Sequence, residues 1–269
     1  MNKSKQWAAM IAIIFSLSLF TSSCKAPNVK SNSEPVSHSI WDSLLRQHVD
    51  ENGLVDYKAM IRDSNQLENY LDILRQNHPN KKHWTENETK AYWINAYNAF
   101  TVELILRHYP VMSIKDIKKG LPFVNSVWDM EFIKIEGADF DLNAIEHGIL
   151  RKNYDEYRVH FALVCGSMSC PKLQNFAFTA DKLDEQLDEA ARQFINEPFR
   201  NDIHASTPKL SKILDWYWID FKSSYSDRSK LVNKYAKIKV TNGQDFDFLD
   251  YDWTLNEQTE TKEQLVKGE

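Results

Sequence analysis

Apolar residues follow a helical spacing in several parts of the chain, and the longest of these segments is apolar on almost every face. It runs TENETKAYWINAYNAFTVELILRHY (residues 85–109), where Thr85 and Glu88 form a capping box and Pro110 ends the helix. A helix that is apolar nearly all round has to be enclosed by other elements, so it is predicted to lie in the middle of the fold. The same pattern predicts shorter helices at residues 39–49 (N-cap Ser39), 65–76, 141–153 (N-cap Asp141), 179–196 and 227–236.

Fewer segments carry the pattern of a strand. Residues 127–137 (VWDMEFIKIEG) are predicted to be a strand that ends in a turn, and residues 210–221 (LSKILDWYWIDF) to be a further strand. Residues 156–165 (EYRVHFALVC) lack a polar face, which indicates a strand buried on both sides. Because helices outnumber strands, we expect an α+β fold, a helix-rich single domain around a small, largely buried sheet. No linker-like break or internal repeat interrupts residues 37–256, which are predicted to form this domain.

The two ends of the chain differ from the domain in composition. Residues 1–23 combine a basic start, a short apolar run and small residues just before Cys24, the pattern of a lipoprotein-type signal peptide with lipidation at Cys24. Plain secretion and an uncleaved anchor are the alternatives. Residues 24–36 are polar and are predicted to be a tether, and residues 257–269 are charged and are predicted to be a disordered tail. We therefore expect a cell-envelope protein, lipid-anchored to a bacterial membrane on its periplasmic or surface face.

Composition and charge exclude several classes of partner. The 269 residues are 42% hydrophobic and include eight tryptophans, which is typical of a globular protein with a large core. The formal net charge of -5 argues against nucleic acid, which requires a basic face. The chain has no glycine-rich phosphate loop, and its CxxxxC pair lacks the second pair of ligands that zinc usually takes. We therefore predict neither a cofactor nor a metal.

Two asparagines interrupt the apolar surface of the long predicted helix. Asn95 and Asn98 lie three residues apart and so on nearly one face, with Thr101 about one turn further on. A buried amide has donors and acceptors that all need partners. These amides either bridge to neighbouring backbone, or they orient a catalytic imidazole or bind a substrate.

The helix predicted at residues 141–153 carries a carboxylate on its apolar side. On a helical wheel Glu146 falls inside the inward-facing stripe, and His147 lies at its edge. A carboxylate that faces a core must be paired, hydrogen-bonded or protonated, and such groups are frequent at functional sites. The alternative is a structural ion pair with Arg151 or Arg158.

The stretch HFALVCGSMSCP (160–171) contains the last two cysteines of the chain, at the end of the predicted buried strand. Cys165 at a strand end is placed as a thiol nucleophile would be, with an imidazole for activation and loop N–H groups as an oxyanion site. On a regular strand, however, His160 and Cys165 point to opposite faces, so a direct dyad requires the chain to turn. Three states are open for Cys165 and Cys170, namely a disulfide, a reactive free thiol, or two inert buried thiols.

Four blocks of the chain stand out together. They are KAYWINAYNAF (90–100), IEHGILR (145–151), HFALVCGSMSCP (160–171) and, more weakly, YDWTLN (251–256). Their order and spacing resemble the domain-of-unknown-function 547 family over most of residues 80–256, and many members of that family look like secreted or lipid-anchored bacterial proteins. The resemblance implies a shared fold and site without supplying a reaction. The resemblance places five residues in one pocket, namely Asn98, Glu146, His147, His160 and Cys165. They are largely the same residues that stand out above as polar side chains at positions where the pattern predicts apolar ones.

The first functional hypothesis is a cell-envelope hydrolase or acyl/peptidyl transferase that works through a thiol. Its parts would be a nucleophile, Cys165, a base, His160 or His147, and an orienting group, Glu146 or Asn98. Papain-like and transglutaminase-like enzymes use such a trio, but usually with the cysteine before the histidine in the chain. Here both histidines precede Cys165, so any relation would need permutation or convergence.

The second hypothesis is a non-catalytic envelope module. In it the same pocket binds a cell-wall or peptide ligand, and a Cys165–Cys170 disulfide staples the loop. A third, mainly structural role rests on Asp215, Trp216, Trp218 and Asp220 as a surface or a carbohydrate-stacking platform. A count of free thiols without reductant separates the first two hypotheses. The sequence specifies neither the substrate nor the oligomeric state.

Overall fold

Helices make up about 48% of the structure, a computed structural model that describes residues 26–117, 126–203 and 207–267. The α-helices of these regions are α1 (Ser39–His48), α2 (Tyr57–Arg62), α3 (Ser64–Arg75), α4 (Glu86–His108), α5 (Arg151–Asn153), α6 (Leu183–Asn196), α7 (Ile213–Trp216), α8 (Trp218–Phe221), α9 (Arg228–Tyr235) and α10 (Glu260–Lys267). A π-helix, Ala144–Leu150, runs into α5, and 3-10 turns cover Ile114–Asp116, Val127–Asp129 and Tyr157–Phe161. The predicted helix-rich α+β class is confirmed.

Within the described residues, strands are short and form two sheets of two strands each. They are β1 (Ile133–Ile135), β2 (Ala138–Phe140), β3 (Lys209–Leu210) and β4 (Asp247–Phe248). β1 and β2 pair antiparallel, with Ile133 opposite Phe140, and β3 pairs parallel with β4. Of the strand predicted at residues 127–137, only β1 and the turn that follows it are formed, and the prediction is wrong for Val127–Asp129, which is a 3-10 turn.

The long helix α4 lies at the centre of the fold, as predicted. Every residue from 90 to 105 is buried, and α3 and the π-helix pack against it. The capping box between Thr85 and Glu88 is formed, with the Thr85 Oγ1 accepting from the Glu88 N–H at 3.2 Å. α4 is therefore a fixed support for the loops that cross it.

The strand predicted at residues 156–165 is not formed. Tyr157–Phe161 is a 3-10 helix instead, and the chain beyond it has no regular structure as far as Cys165. The Phe161 ring packs on those of Phe194 and Phe221, with centroids 5.2 and 5.5 Å away, so helices bury this segment. An apolar run without a period indicates burial but not the type of element that provides it.

The strand predicted at residues 210–221 is also wrong beyond Leu210, because α7 and α8 occupy this region. Ile213, Leu214 and Phe221 are buried at positions i, i+1 and i+8, which is a helical spacing. They belong to a second apolar cluster, formed with α6 and α9, that is distinct from the main core around α4. The segment from Tyr157 to Cys165 passes from the second cluster to the main core.

Both chain ends depart from their predicted states. The predicted signal peptide and Cys24 lie outside the described residues, but residues 26–36 pack on the domain instead of forming a free tether. The Ser33 carbonyl accepts from the Trp84 Nε1–H at 2.9 Å and from the Asn80 amide at 2.8 Å. The tail predicted to be disordered contains α10, whose Val266 packs with Leu54 and Met168. A composition rule for disorder misses such contacts because it ignores where the chain lies.

Candidate functional site

One cavity brings together four of the five predicted site residues. It encloses about 240 Å³ and is lined by Glu146, His147, His160 and Cys165. Aromatic side chains form most of its remaining wall, namely Tyr97, Trp128, Trp216, Tyr217, Tyr251 and Trp253. A larger groove of about 830 Å³ beside the N-terminal segment, α4 and α6 contains none of the predicted site residues.

A turn at Gly166 directs Cys165 toward the cavity. Gly166 has a φ of +77°, a backbone conformation that favours glycine, and a Cβ there would also displace the terminal methyl group of Ile105, 2.5 Å away. The Gly166 carbonyl accepts from the Asn256 N–H at 2.9 Å, which ties the turn to the C-terminal segment that carries Tyr251. This turn replaces the strand geometry that separated His160 and Cys165 onto opposite faces.

The Cys165 thiol is surrounded by hydroxyl and sulfhydryl groups. Its Sγ lies 3.2 Å from the Ser167 Oγ and 3.5 Å from the Tyr251 hydroxyl. Hydrogen bonding from the Cys170 sulfhydryl lowers the pKa of Cys165 to about 7, assisted by Ser167 and Tyr251 and opposed by burial. Cys165 therefore ionises more readily than an ordinary cysteine.

Cys170 has the complementary role. Both cysteines are free thiols, so the disulfide alternative is not realised in this structure. Burial, and then the neighbouring Cys165, raises the pKa of Cys170 well above its ordinary value. Its sulfur also accepts a hydrogen bond from the Cys165 N–H at 2.9 Å. Cys170 thus remains protonated and supports the charge on Cys165.

His160 is held by a carboxylate. Its Nε2 atom lies 2.7 Å from the Asp220 Oδ2, and its ring stacks on Tyr217 with centroids 3.9 Å apart. Burial lowers the pKa of His160 below its ordinary value, so the ring is neutral at pH 7. Because a carboxylate only accepts, the single ring proton sits on Nε2 and the Nδ1 lone pair is left unprotonated.

The Asp220 carboxylate remains ionised and is shared. Burial would raise its pKa, but hydrogen bonds from His160 and Arg151 outweigh burial and hold the pKa well below its ordinary value. Arg151 donates through Nε at 2.6 Å and through its second amino group at 3.0 Å. Its remaining amino group donates to the His147 Nδ1 at 2.7 Å. Since arginine is only a donor, His147 Nδ1 carries no proton and this nitrogen is already occupied.

Glu146 is buried, with 6% of its surface exposed, as its place on the apolar side predicts. The predicted alternative of an ion pair with Arg151 or Arg158 is not formed, because Arg151 binds Asp220 and Arg158 binds carboxylates elsewhere. The Glu146 Oε1 lies 3.9 Å from the His147 Nδ1. Burial and then the Glu146 charge raise the pKa of the adjacent Tyr217 hydroxyl.

Asn98 is the predicted site residue that does not line the cavity. Its Nδ2 donates to the Ala162 carbonyl and its Oδ1 accepts from the Val164 N–H, both at 2.9 Å. The proposal that it orients an imidazole is wrong, and bridging to backbone is the alternative that is observed. Asn95 does the same for the backbone of Phe178, at 2.8 and 3.0 Å. An amide satisfies both groups of a peptide because it carries one donor side and one acceptor side.

Sequence reasoning missed several residues of this site. Asp220 was considered only as part of a surface platform, although a carboxylate within an aromatic run is itself a misfit. Tyr251 and Trp253 lie in the fourth block of the resemblance and reach the cavity through the pairing of their segment with the Gly166 turn. Trp216, at 48% exposure, forms the outer edge of the cavity. Among the described residues there is no cluster of three or more potential metal ligands, and no helix there is long and apolar enough to cross a membrane.

The comparisons with known proteins identify the region that contains most of this site. No curated protein and no solved structure matches the chain. Residues 81–195 match the family described as "Protein of unknown function, DUF547". The matched range contains Glu146, His160 and both cysteines, whereas Asp220 and the wall formed by Tyr251 and Trp253 lie beyond it. Residues 81–195 of the chain are therefore similar to the DUF547 family.

Proposed function

We propose that the cavity is the active site of a thiol-dependent hydrolase or acyl/peptidyl transferase. The observation that carries the proposal is that a thiol with a pKa of about 7 shares a 240 Å³ cavity with a neutral imidazole held by a carboxylate. A lowered thiol pKa beside an acid–base group is the combination that nucleophilic catalysis needs at neutral pH. Structural thiols, by contrast, are inert when apolar burial raises their pKa.

In this proposal Cys165 is the nucleophile. Its thiolate attacks the carbonyl carbon of an acyl donor, which forms the S–C bond of a thioester as the bond from that carbon to the leaving amine or alcohol breaks. Where Cys165 begins as the thiol, its proton passes to the His160 Nδ1 as the sulfur attacks, and Nδ1 then gives this proton to the leaving group. Water, or an amine acceptor, then loses a proton to the same nitrogen and cleaves the thioester, which restores the thiol.

Two neighbours complete this assignment. Asp220 orients the imidazole and stabilises the imidazolium that forms when Nδ1 takes a proton. The Tyr97 hydroxyl lines the same cavity, and burial raises its pKa well above 10, so it remains a donor for the developing oxyanion. His147 is the weaker candidate for the base because its Nδ1 already accepts from Arg151.

The decisive test compares the wild-type protein with Cys165→Ala and Cys165→Ser. Turnover of activated acyl esters, peptides and peptidoglycan fragments is measured, and the peptide that carries a trapped acyl group is identified by mass spectrometry. We expect the acyl group on Cys165 and a loss of about 10³-fold or more in both variants. Unchanged turnover in Cys165→Ala would refute the nucleophile.

We also propose that the protein is anchored to the envelope membrane through Cys24. The signal-peptide pattern supports the anchor, and Ala26 packs against the core only two residues further along the chain. A lipid at Cys24 would therefore hold the domain close against the membrane surface. Metabolic labelling with a fatty acid tests this, since Cys24→Ala should abolish the label and leave the fold unchanged.

A further inference from the structure

We propose that the cavity recognises an alkylammonium group on its substrate or acyl acceptor, an inference that rests on the proposed function for the reaction beside it. The cavity combines a buried carboxylate that lacks a lysine or arginine partner with walls of aromatic side chains. Aromatic faces attract cations through their quadrupole, and a buried carboxylate attracts the same charge. The two features together favour a ligand that carries a positive charge.

The carboxylate is Glu146. Within the described part of the chain no lysine or arginine lies within 4 Å of it, and its only ion-pair neighbour is His147, at 3.9 Å. The His147 Nδ1 accepts a hydrogen bond from Arg151, so it has no hydrogen to donate to Glu146. Arg151 in turn has its charge offset by two hydrogen bonds to Asp220. The Glu146 carboxylate is thus 94% buried without a cation paired to it, so binding of a cationic group beside it would be favourable.

The remaining charges of the cavity do not change this balance. The Arg151–Asp220 pair is neutral overall, and burial keeps His160 uncharged. Cys165 adds negative charge at neutral pH. The residues that line the cavity therefore carry a net negative charge, and the nearby Lys115 ammonium lies outside this lining, against Trp253. A negative lining disfavours anionic ligands and favours cationic ones.

Packed aromatic rings form one side of the cavity. Trp216, Tyr251 and Trp253 lie together, with ring centroids 4.5 to 6.0 Å apart, and Trp216 remains 48% exposed. The chain already places one ammonium on this wall, because the Lys115 Nζ lies 4.5 Å from the centroid of Trp253. The volume of about 240 Å³ falls below the ~300–1,000 Å³ of typical small-molecule sites, which suits a small head group.

Two classes of compound could supply the alkylammonium group. One is a primary amine, such as a lysine side chain or a diamine, which would be the acyl acceptor of a transferase. The other is a quaternary ammonium alcohol whose ester would be the acyl donor. Each places its cation on Glu146 and the aromatic wall. The quaternary ester then presents its carbonyl carbon to the Cys165 sulfur, whereas the primary amine first passes an ammonium proton to the His160 Nδ1 and then attacks the thioester carbon with its neutral nitrogen.

The test measures binding in Cys165→Ser, so that it does not depend on turnover. Tetramethylammonium, choline and n-propylammonium are titrated by calorimetry and by tryptophan fluorescence, against 3,3-dimethyl-1-butanol, the neutral isostere of choline. We expect the cations to bind at least about tenfold more tightly than the neutral isostere. Preference for propylammonium indicates the amine source, and preference for choline or tetramethylammonium the quaternary source.

Three further variants in the same background assign the binding to these residues. Glu146→Gln should weaken cation binding about tenfold or more, and Trp216→Ala about 2- to 30-fold, with partial recovery in Trp216→Phe. Trp218→Ala is the control, because Trp218 packs on Arg228 and does not line the cavity. Equal binding of the neutral isostere, tighter binding of N-acetylglucosamine, no binding of any cation, or full binding by a folded Glu146→Gln protein would each overturn the inference. None of these results bears on whether wild-type Cys165 turns over an acyl donor.

Discussion

Two groups of buried polar residues are similar in sequence and differ in how completely they are satisfied. On α4, Asn95 and Asn98 each bind one backbone carbonyl and one backbone N–H, so both the amide nitrogen and the amide oxygen have partners within the protein. In the cavity, Glu146 lacks a cation and His160 keeps an unprotonated nitrogen. Burial of a polar residue therefore does not distinguish a structural role from a role in binding or catalysis. The two roles differ in whether the polar atoms of the side chain already have partners within the protein.

The largest effect that sharpens this comparison is expected at His160. His160→Gln or Asp220→Asn should lower turnover by about 10² to 10⁴-fold, because the proton acceptor is lost or misoriented. His147→Gln is the matched control and should stay within about tenfold, since its Nδ1 is already occupied. Steady-state kinetics on the best acyl donor measures all three. A loss in His147→Gln as large as that in His160→Gln would reverse the two assignments.

A medium effect is expected on stability at Asn98. Asn98→Ala leaves the Ala162 carbonyl and the Val164 N–H unpaired in the core, which should lower the free energy of unfolding by about 2–4 kcal/mol. Glu146→Gln is the counterpart and should change it by less than about 1 kcal/mol, because no salt bridge is lost. Urea unfolding followed by circular dichroism measures both. Equal destabilisation by the two variants would contradict the assignment of a structural role to Asn98 and not to Glu146.

The smallest effect concerns the pH dependence of the thiol. The rate of Cys165 alkylation by iodoacetamide should rise with an inflection near pH 7, where its pKa lies, rather than near ~8.5 for a free cysteine. Tyr251→Phe removes a donor that stabilises the thiolate, so the inflection should move up, by less than about one pH unit. Tyr225→Phe, which alters a hydroxyl remote from the cavity, should leave it in place. An inflection that moves down in Tyr251→Phe contradicts the assigned hydrogen bond.

The parts of the fold and site that could be predicted are those with a local signal. α4 was predicted from its all-round apolar surface and the capping box at Thr85, because both lie within one element. The burial of Glu146 followed from helical spacing in the same way, although the helix there is of the π type. Residues 156–165 were misassigned because their apolar run has no period, and so it indicates burial without an element type.

The sequence by itself determined many of the buried positions and which of them carry ionisable or polar side chains, since hydrophobic periodicity and residue type are local properties. Only the tertiary structure decided how they are paired. Asp220 reaches His160 across 60 residues of chain and Tyr251 reaches Cys165 across 86. Such pairs form where packed elements meet, and no local pattern records them. The same packing assigned Asn98 to the backbone and left Glu146 facing a cavity, because it alone determines which polar groups find a partner within the protein.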